Sequence, residues 1–284
     1  MIEKWSESVI KRLHKEGRGQ GEGKDYIPWI TYNDFSSRGK TRSVWGLKTP
    51  RMHHFFSQHE FDFFVCAEWS DEVVDIQEQY PLDREATQAL AQQLRISHPC
   101  YPGTNVPCVL TADFLLTIQR DDGELRQVAF NIKTDAAAED KRTIDKLEIQ
   151  RTYFEGLDVP HHLIFDSSIP KGACANLALI RAKIPRENEE AQTYAELAGL
   201  KDSLKSWLSN VKGERLSWSA STLCAEFDAI YGMTPGTALR VLAMLFYERA
   251  IPVNLNVKEL FEGQWEDLTR PHQGNGQSVL RKAA

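Results

Sequence analysis

Hydrophobic and polar positions change period several times along this chain, and the changes outline its elements. After Thr49-Pro50, Phe56, Phe63, Phe64 and Ala67 line one side of a helix predicted to start near Ser57. Glu72 to Tyr80 alternates until Pro81 and reads as a strand, and the polar, Pro-containing stretch 83–108 reads as a short helix and loop. Val109 to Ile118 is the strongest strand pattern, and Asp121-Asp-Gly turns it into a second strand, Gln127 to Lys133. Alternation puts Val128, Phe130 and Ile132 on one face and leaves Asn131 and Lys133 on the other. Asp113 shares a face with Thr111, Leu115 and Thr117, opposite Leu110, Ala112, Phe114 and Leu116.

Ala137 to Phe154 has helical spacing, with Ile144, Leu147 and Phe154 facing inward and Lys141, Arg142, Lys146 and Arg151 outward. His161 to Asp166 is a further short strand. Helix, strand, hairpin, helix, strand implies an α/β domain, a mixed sheet flanked by helices. Past Ser167-Ser-Ile-Pro-Lys-Gly172 the strand patterns stop. Leu200, Leu204, Trp207, Leu208 and Val211 follow helical spacing, as do Leu223, Phe227 and Ile230. Thr234 and Pro235 are candidates for the cap and first turn of a helix reaching about Arg249, and Ile251 to Asn256 reads as a strand or wing. Helix, turn, helix, wing is the winged-helix order. The expected organisation is residues 1–167, a helical winged-helix-like domain over 168–270, and a flexible tail over 271–284.

Composition narrows the class. At 284 residues with 42% hydrophobic content, two packed domains are the natural division. No run approaches a membrane span of about 18 apolar residues, and the first residues lack a signal peptide's apolar core, so a soluble, cytoplasmic protein is expected. Cysteines 66, 100, 108, 174 and 224 are scattered without a Cys-x-x-Cys pair, which signals neither a disulfide framework nor a zinc ribbon. The net charge of −6 is unevenly spread: residues 10–51 carry ten Lys or Arg against four acids, a surplus of six, so the remainder carries −12. Such asymmetry suggests a local polyanion-binding surface. Within it, Glu16-Gly-Arg-Gly-Gln-Gly-Glu-Gly-Lys-Asp-Tyr-Ile-Pro-Trp29 is too glycine-rich for a helix or central strand. It is either a phosphate-approaching loop, with Arg18 and Lys24 supplying charge, or a plain connector. Arg38, Lys40, Arg42, Arg51, His53 and His54 complete the candidate DNA contacts.

The chemistry sits on the hairpin. Phosphodiester hydrolysis draws on a divalent cation held by hard oxygens, Mg²⁺ or in its place Mn²⁺, one ion or two. Strand-borne Asp113 suits that task, and Lys133 on the adjoining strand can offset charge on the reacting phosphate. An Asp followed one hairpin later by an acid-x-Lys triplet, with a Glu on an earlier helix, is the arrangement of restriction-endonuclease-like enzymes. Here the triplet is Asn131-Ile132-Lys133 and the earlier acid is Glu60. Asn131 offers an oxygen without charge, and the Ile132 carbonyl is an additional candidate ligand. Each residue has an ordinary alternative. Ser57-Gln-His-Glu60 is also a capping box. Lys133 could close a strand and pair with Asp113. Neighbouring histidines in a strand point to opposite faces, so His53-His54 and His161-His162 suit packing or substrate contact better than chelation.

The N-terminal run Glu16 to Trp29, followed in order by Arg51-Met-His-His, Glu60, Glu68-Trp69, Asp75 to Leu82, Thr111 to Phe114, Asn131 to Lys133 and Lys146 to Glu148, resembles the TnsA family of transposon endonucleases over most of residues 16–165. The resemblance implies a restriction-endonuclease-like catalytic domain, with Glu60, Asp113 and Lys133 on catalytic positions and an amide tolerated at 131, followed by a winged-helix-like domain. It implies cutting of the 5′ strands at the ends of a transposon, on double-stranded DNA, beside a TnsB transposase that cuts the 3′ ends and a TnsC AAA+ ATPase that regulates both. The 234–247 helix offers little but Arg240 to a DNA groove, which favours a protein-docking role toward the transposase or ATPase for the second domain. Two other readings remain open here: a non-catalytic adaptor bridging DNA to proteins, and a free-standing restriction or resolvase nuclease that cuts alone.

Overall fold

A computed structural model describes residues 5–34, 41–186 and 191–270. The chain divides between Ile169 and Pro170 into two compact units. In the first, helix α1 (Glu7–Lys15) precedes a hairpin of β1 (Arg42–Trp45) and β2 (Met52–Phe55), helix α2 (Gln58–Trp69), strand β3 (Val73–Pro81), helix α3 (Arg84–Leu94), strands β4 (Thr111–Gln119) and β5 (Leu125–Lys133), helix α4 (Lys141–Glu155) and strand β6 (His161–Phe165). The sheet runs β3-β4-β5-β6, antiparallel except for the parallel β5–β6 pair. It is therefore the expected mixed sheet flanked by helices.

Helix α2 covers one face, its Phe63 ring 5.0 Å from both Phe114 and Phe130. Every residue from Phe61 to Trp69 is buried, so α2 is a core helix and its apolar side is wider than the expected stripe. On the opposite face, Leu115 and Ala129 pack with Ala91 of α3 and Ile149 and Phe154 of α4. Helix α4 starts later than Ala137, because Asp135–Glu139 forms a 3-10 turn and Asp140 caps the helix by accepting from Thr143 N at 2.8 Å. Its inward face also differs from expectation. Ile144 is exposed while Ile149 and Gln150 are buried, which turns Lys146 inward to a half-buried position.

The glycine-rich segment neither dangles nor merely connects. It lies against the outer edge of β3: Gly23 N donates to Asp75, Gln77 Nε2 to Gly21 O, Tyr26 Oη to Glu78 O and Trp29 N to Gln79 O. An open strand edge invites pairing with another chain, and this segment blocks it. Glycine is required where contact is closest. At Gly19, with φ 74°, an added Cβ would fall 2.1 Å from Pro81 Cγ.

The second unit contains helices α5 (Lys171–Lys183), α6 (Ala191–Gly199), α7 (Lys201–Ser209), α8 (Ala220–Tyr231), α9 (Thr237–Tyr247) and α10 (Trp265–Thr269). The stretch 251–256, expected as a strand or wing, forms neither. Pro252 has no N–H to give a ladder, Val253 and Leu255 are buried, and Asn176 Nδ2 takes the carbonyls of Leu255 and Val257 at 2.9 and 2.8 Å. Helix α9 likewise begins at Thr237 rather than after a Thr234 cap, because the buried Asp228 carboxylate accepts from the Gly236 and Ala238 amides at 2.7 and 2.9 Å. Its Val241 to Phe246 run is buried, making it this unit's core helix. Among the described residues no helix is long and apolar enough to cross a membrane. The expected tail 271–284, like Arg38 and Lys40, lies outside the described residues.

Candidate active site

The β4–β5 ladder pairs Phe114 with Phe130 and goes no further toward the start of β4. One residue on, the backbone amides of β5 need other partners. Asp113 supplies one: its Oδ2 accepts from Ile132 N at 2.7 Å and from Lys133 Nζ at 2.8 Å. The same ammonium donates to Ile132 O at 3.0 Å. Asp113 and Lys133 thus meet where the two strands part, and the ordinary reading of Lys133 as Asp113's ion-pair partner is true of this state.

Glu60 arrives from the first turn of α2. Its side chain is engaged at the helix start, as the capping alternative expects in part. Ser57 Oγ accepts from Glu60 N at 3.1 Å and donates back to Oε1 at 3.0 Å, while Oε2 accepts at 3.0 Å from the amide of Phe56, one residue before the cap rather than the cap itself. The carboxyl is nonetheless pushed up to about 7, first by burial and then by the negative charge of Asp113, against smaller opposing effects of its hydrogen bonds and Lys133. A half-buried and a buried acid repelling each other beside one ammonium is an arrangement that favours added positive charge.

Asn131 is completely buried beside this point, but its Oδ1 is engaged by His161 Nε2 at 2.7 Å, and its Nδ2 has no partner. His161 is pushed down to about 4, chiefly by burial and next by His162, so it stands neutral at ordinary pH. The His161 bond uses one of the two lone pairs of the Asn131 amide oxygen. The remaining oxygen donors are the Glu60 and Asp113 carboxylates and the Ile132 carbonyl. The described residues contain no cluster of three His, Cys, Asp or Glu side chains able to hold a metal ion. An all-oxygen set with two carboxylates still fits a hard divalent cation of the Mg²⁺ type, which completes its shell with water or substrate phosphate.

Two contributors escaped the sequence pattern. Lys146 brings a second amine into the electrostatic reach of Asp113 and Lys133, and burial lowers its pKa. Taking the helix phase from Ile149, three residues on, would have turned it inward. Gln79 places its amide between Glu60 and Thr111.

The expected DNA contacts separate into three groups. Arg51 is buried, donating to both oxygens of Glu78 at 2.8 and 2.6 Å and to Ile76 O, and His53 Nδ1 shares the same carboxylate at 2.8 Å. Arg18 is likewise nearly covered, bonded to Asp34, Glu16 and Trp29 O. Arg18, Arg51 and His53 therefore hold the fold, and the geometry leaves them no hand for a phosphate. His54 is half-buried against Ser43 and Tyr32. Lys24 and Arg42 are exposed, Arg42 lying 4.1 Å over the Phe61 ring.

A mixed sheet flanked by helices, with an Asp and a Lys meeting on paired strands and a Glu from a preceding helix beside them, is the arrangement expected of a DNA endonuclease. Residues 70–166, which include β3 to β6, match the family model described as TnsA-like endonuclease N terminal. The chain is also 34% identical over 251 residues to transposon Tn7 transposition protein TnsA of Escherichia coli, a match that covers 88% of this chain and 87% of that protein. The chain belongs to the TnsA family, as an endonuclease of DNA transposition.

Proposed function

We propose that this protein cuts the 5′ strands at the ends of a transposon by divalent-cation-dependent hydrolysis, using Glu60, Asp113 and Lys133. The observation that carries this reading is that a half-buried carboxylate from a helix start lies in the field of a buried one at a strand end, with an ammonium 2.8 Å from the latter. Glu60, Asp113 and the Ile132 carbonyl would hold Mg²⁺, or Mn²⁺ in its place. Asn131 would join them through the second lone pair of its amide oxygen. The cation, when bound, draws charge from the scissile phosphate and makes water more acidic. Lys133 then moves from Asp113 toward the phosphate, where its ammonium offsets the charge that develops as water attacks in line. The attack forms one P–O bond and breaks the bond to the 3′ oxygen, which leaves with a proton and yields 5′-phosphate and 3′-hydroxyl ends. Lys146 adds a second positive charge at the same strand end. Exposed Lys24 and Arg42 are the described residues best suited to flanking phosphates.

A TnsB-like transposase cutting the opposite strands, and a TnsC-like ATPase, are the partners this reading carries. The second unit is the docking module for them. Its α9 is spent on its own core, whereas Ile230 and Tyr231 at the end of α8 stand 57% and 53% exposed and offer apolar surface to a protein. The test is Asp113→Ala in a reconstituted transposition reaction. Loss of 5′ cutting with 3′ joining retained is the expected result, and unchanged 5′ cutting would reject the assignment.

A further inference from the structure

Gln79 has a conformation that its place in the sheet does not explain. It lies within β3, yet its φ is 50°, the left-handed region that a side chain enters at a cost of about 1 to 3 kcal/mol. Glu78 pairs with Phe114 and Tyr80 with Ala112, so the register puts Gln79 across from Asp113. Its side chain is buried, and both ends of the amide are used. Nε2 points to Glu60 Oε2 at 3.4 Å, and Oε1 accepts from the Thr111 hydroxyl at 3.4 Å. Its own carbonyl accepts from the buried Trp29 amide at 3.3 Å, so the glycine-rich segment helps to keep the backbone turned.

From this geometry we infer that Gln79 is a positioning residue for the metal-binding carboxylate of Glu60, and that its strained backbone is retained because it aims the amide. The inference rests on the reading of Glu60 and Asp113 as cation ligands. The orientation of the amide follows from its partners: a carboxylate needs a donor, and the Thr111 hydroxyl can supply a proton to the other end. Both contacts are long for hydrogen bonds, which suits a support that tightens when the carboxylate is drawn to a cation. The capping bonds from Phe56 and Ser57 fix Glu60 along the helix axis, and Gln79 limits its swing toward β3. Such supports behind a ligand are worth about 10- to 100-fold in metal affinity.

The test uses the full chain and Mn²⁺ as the probe, its dissociation constant measured by calorimetry without DNA. Gln79→Leu keeps the bulk but not the donor, and Mn²⁺ binding is expected to weaken at least about 10-fold while circular dichroism stays that of the wild type. Wild-type affinity in Gln79→Leu, with binding abolished in Asp113→Ala, would overturn the positioning role and leave the site standing. Wild-type affinity in Asp113→Ala would remove the site itself and the inference with it. Should Gln79→Leu fail to fold, Gln79→Gly and Gln79→Ala carry the test, since both lack the amide and should both bind Mn²⁺ weakly. Gln79→Gly is expected to melt above Gln79→Ala, the reverse of the usual order in a strand, because only glycine is unstrained at this φ. Gln79→Ala melting higher would overturn the role assigned to strain.

Discussion

Two carboxylates of the first unit, the half-buried Glu60 and the buried Glu78, are treated in opposite ways. Glu78 is completely enclosed, yet Arg51 binds both its oxygens, His53 adds a bond and the His54 amide another. Burial alone would push its carboxyl up, but His53 and Arg51 hold it far below the usual carboxylate range. Glu60 has only hydroxyl and amide donors, faces a second carboxylate and is pushed up to about 7. A saturated charge stabilises the fold by being finished. An unsaturated one stores a demand for positive charge that substrate chemistry can use.

The comparison can be broken most forcefully at the saturated cluster. Arg51→Ala leaves Glu78 buried without its guanidinium, and the expected loss is about 3 to 5 kcal/mol, read as a lowered urea midpoint. A loss within experimental error would mean that the cluster is not what holds the β2 strand to β3. Lys133→Ala should do the reverse. Removal of a charge that acts on the reacting phosphate is expected to slow 5′ cutting by about 100- to 1000-fold, with the melting temperature moving much less than in Arg51→Ala. Equal destabilisation by both substitutions would erase the distinction between the clusters. Gly19→Ala probes the segment that covers β3, where a Cβ meets Pro81 and the φ of 74° is strained. It should cost more than the strain alone, about 1 to 2 kcal/mol, while Gly123→Ala, in an equally left-handed turn with open space around it, should lose only that strain, both read as shifts in the urea midpoint.

How much of this was legible in the sequence follows the same division. Asp113 and Lys133 could be found because a strand's two-residue period and a short hairpin fix which side chains share a strand end, with no tertiary knowledge required. Glu60 was legible only as an ambiguity, since helix capping and the proposed cation site call on one side chain. The fates of Arg51 and His53 were not legible. Their partner Glu78 lies on another strand, and a basic residue in a basic stretch reads as a DNA contact until the acid that consumes it is located. The inward turn of Lys146 is hidden in the sequence because Ile144, apolar yet exposed, sets a competing helix phase, and Gln79 carries no signal because nothing in an alternating strand marks a left-handed residue. In the second unit the 251–256 pattern has strand-like alternation, but Asn176, far back in the chain, takes the carbonyls a neighbouring strand would need.

The smallest expected effect is also the most direct measure of the unsaturated state. An unfolded chain lets Glu60 ionise near 4.5, whereas the folded protein delays ionisation to about 7. Between those values the folded state holds the extra proton, so stability is fully present below about 4.5, falls as pH rises toward 7, and is level above it. Glu60→Gln removes this titration. The melting temperature of the wild type relative to Glu60→Gln should therefore drop by a few degrees between pH 5 and 7.5, and Mn²⁺ should restore it in the wild type alone by binding the ionised form. A flat difference across that range would mean that the Glu60 carboxyl is already satisfied, as Glu78 is, and the contrast between the two acids would be lost.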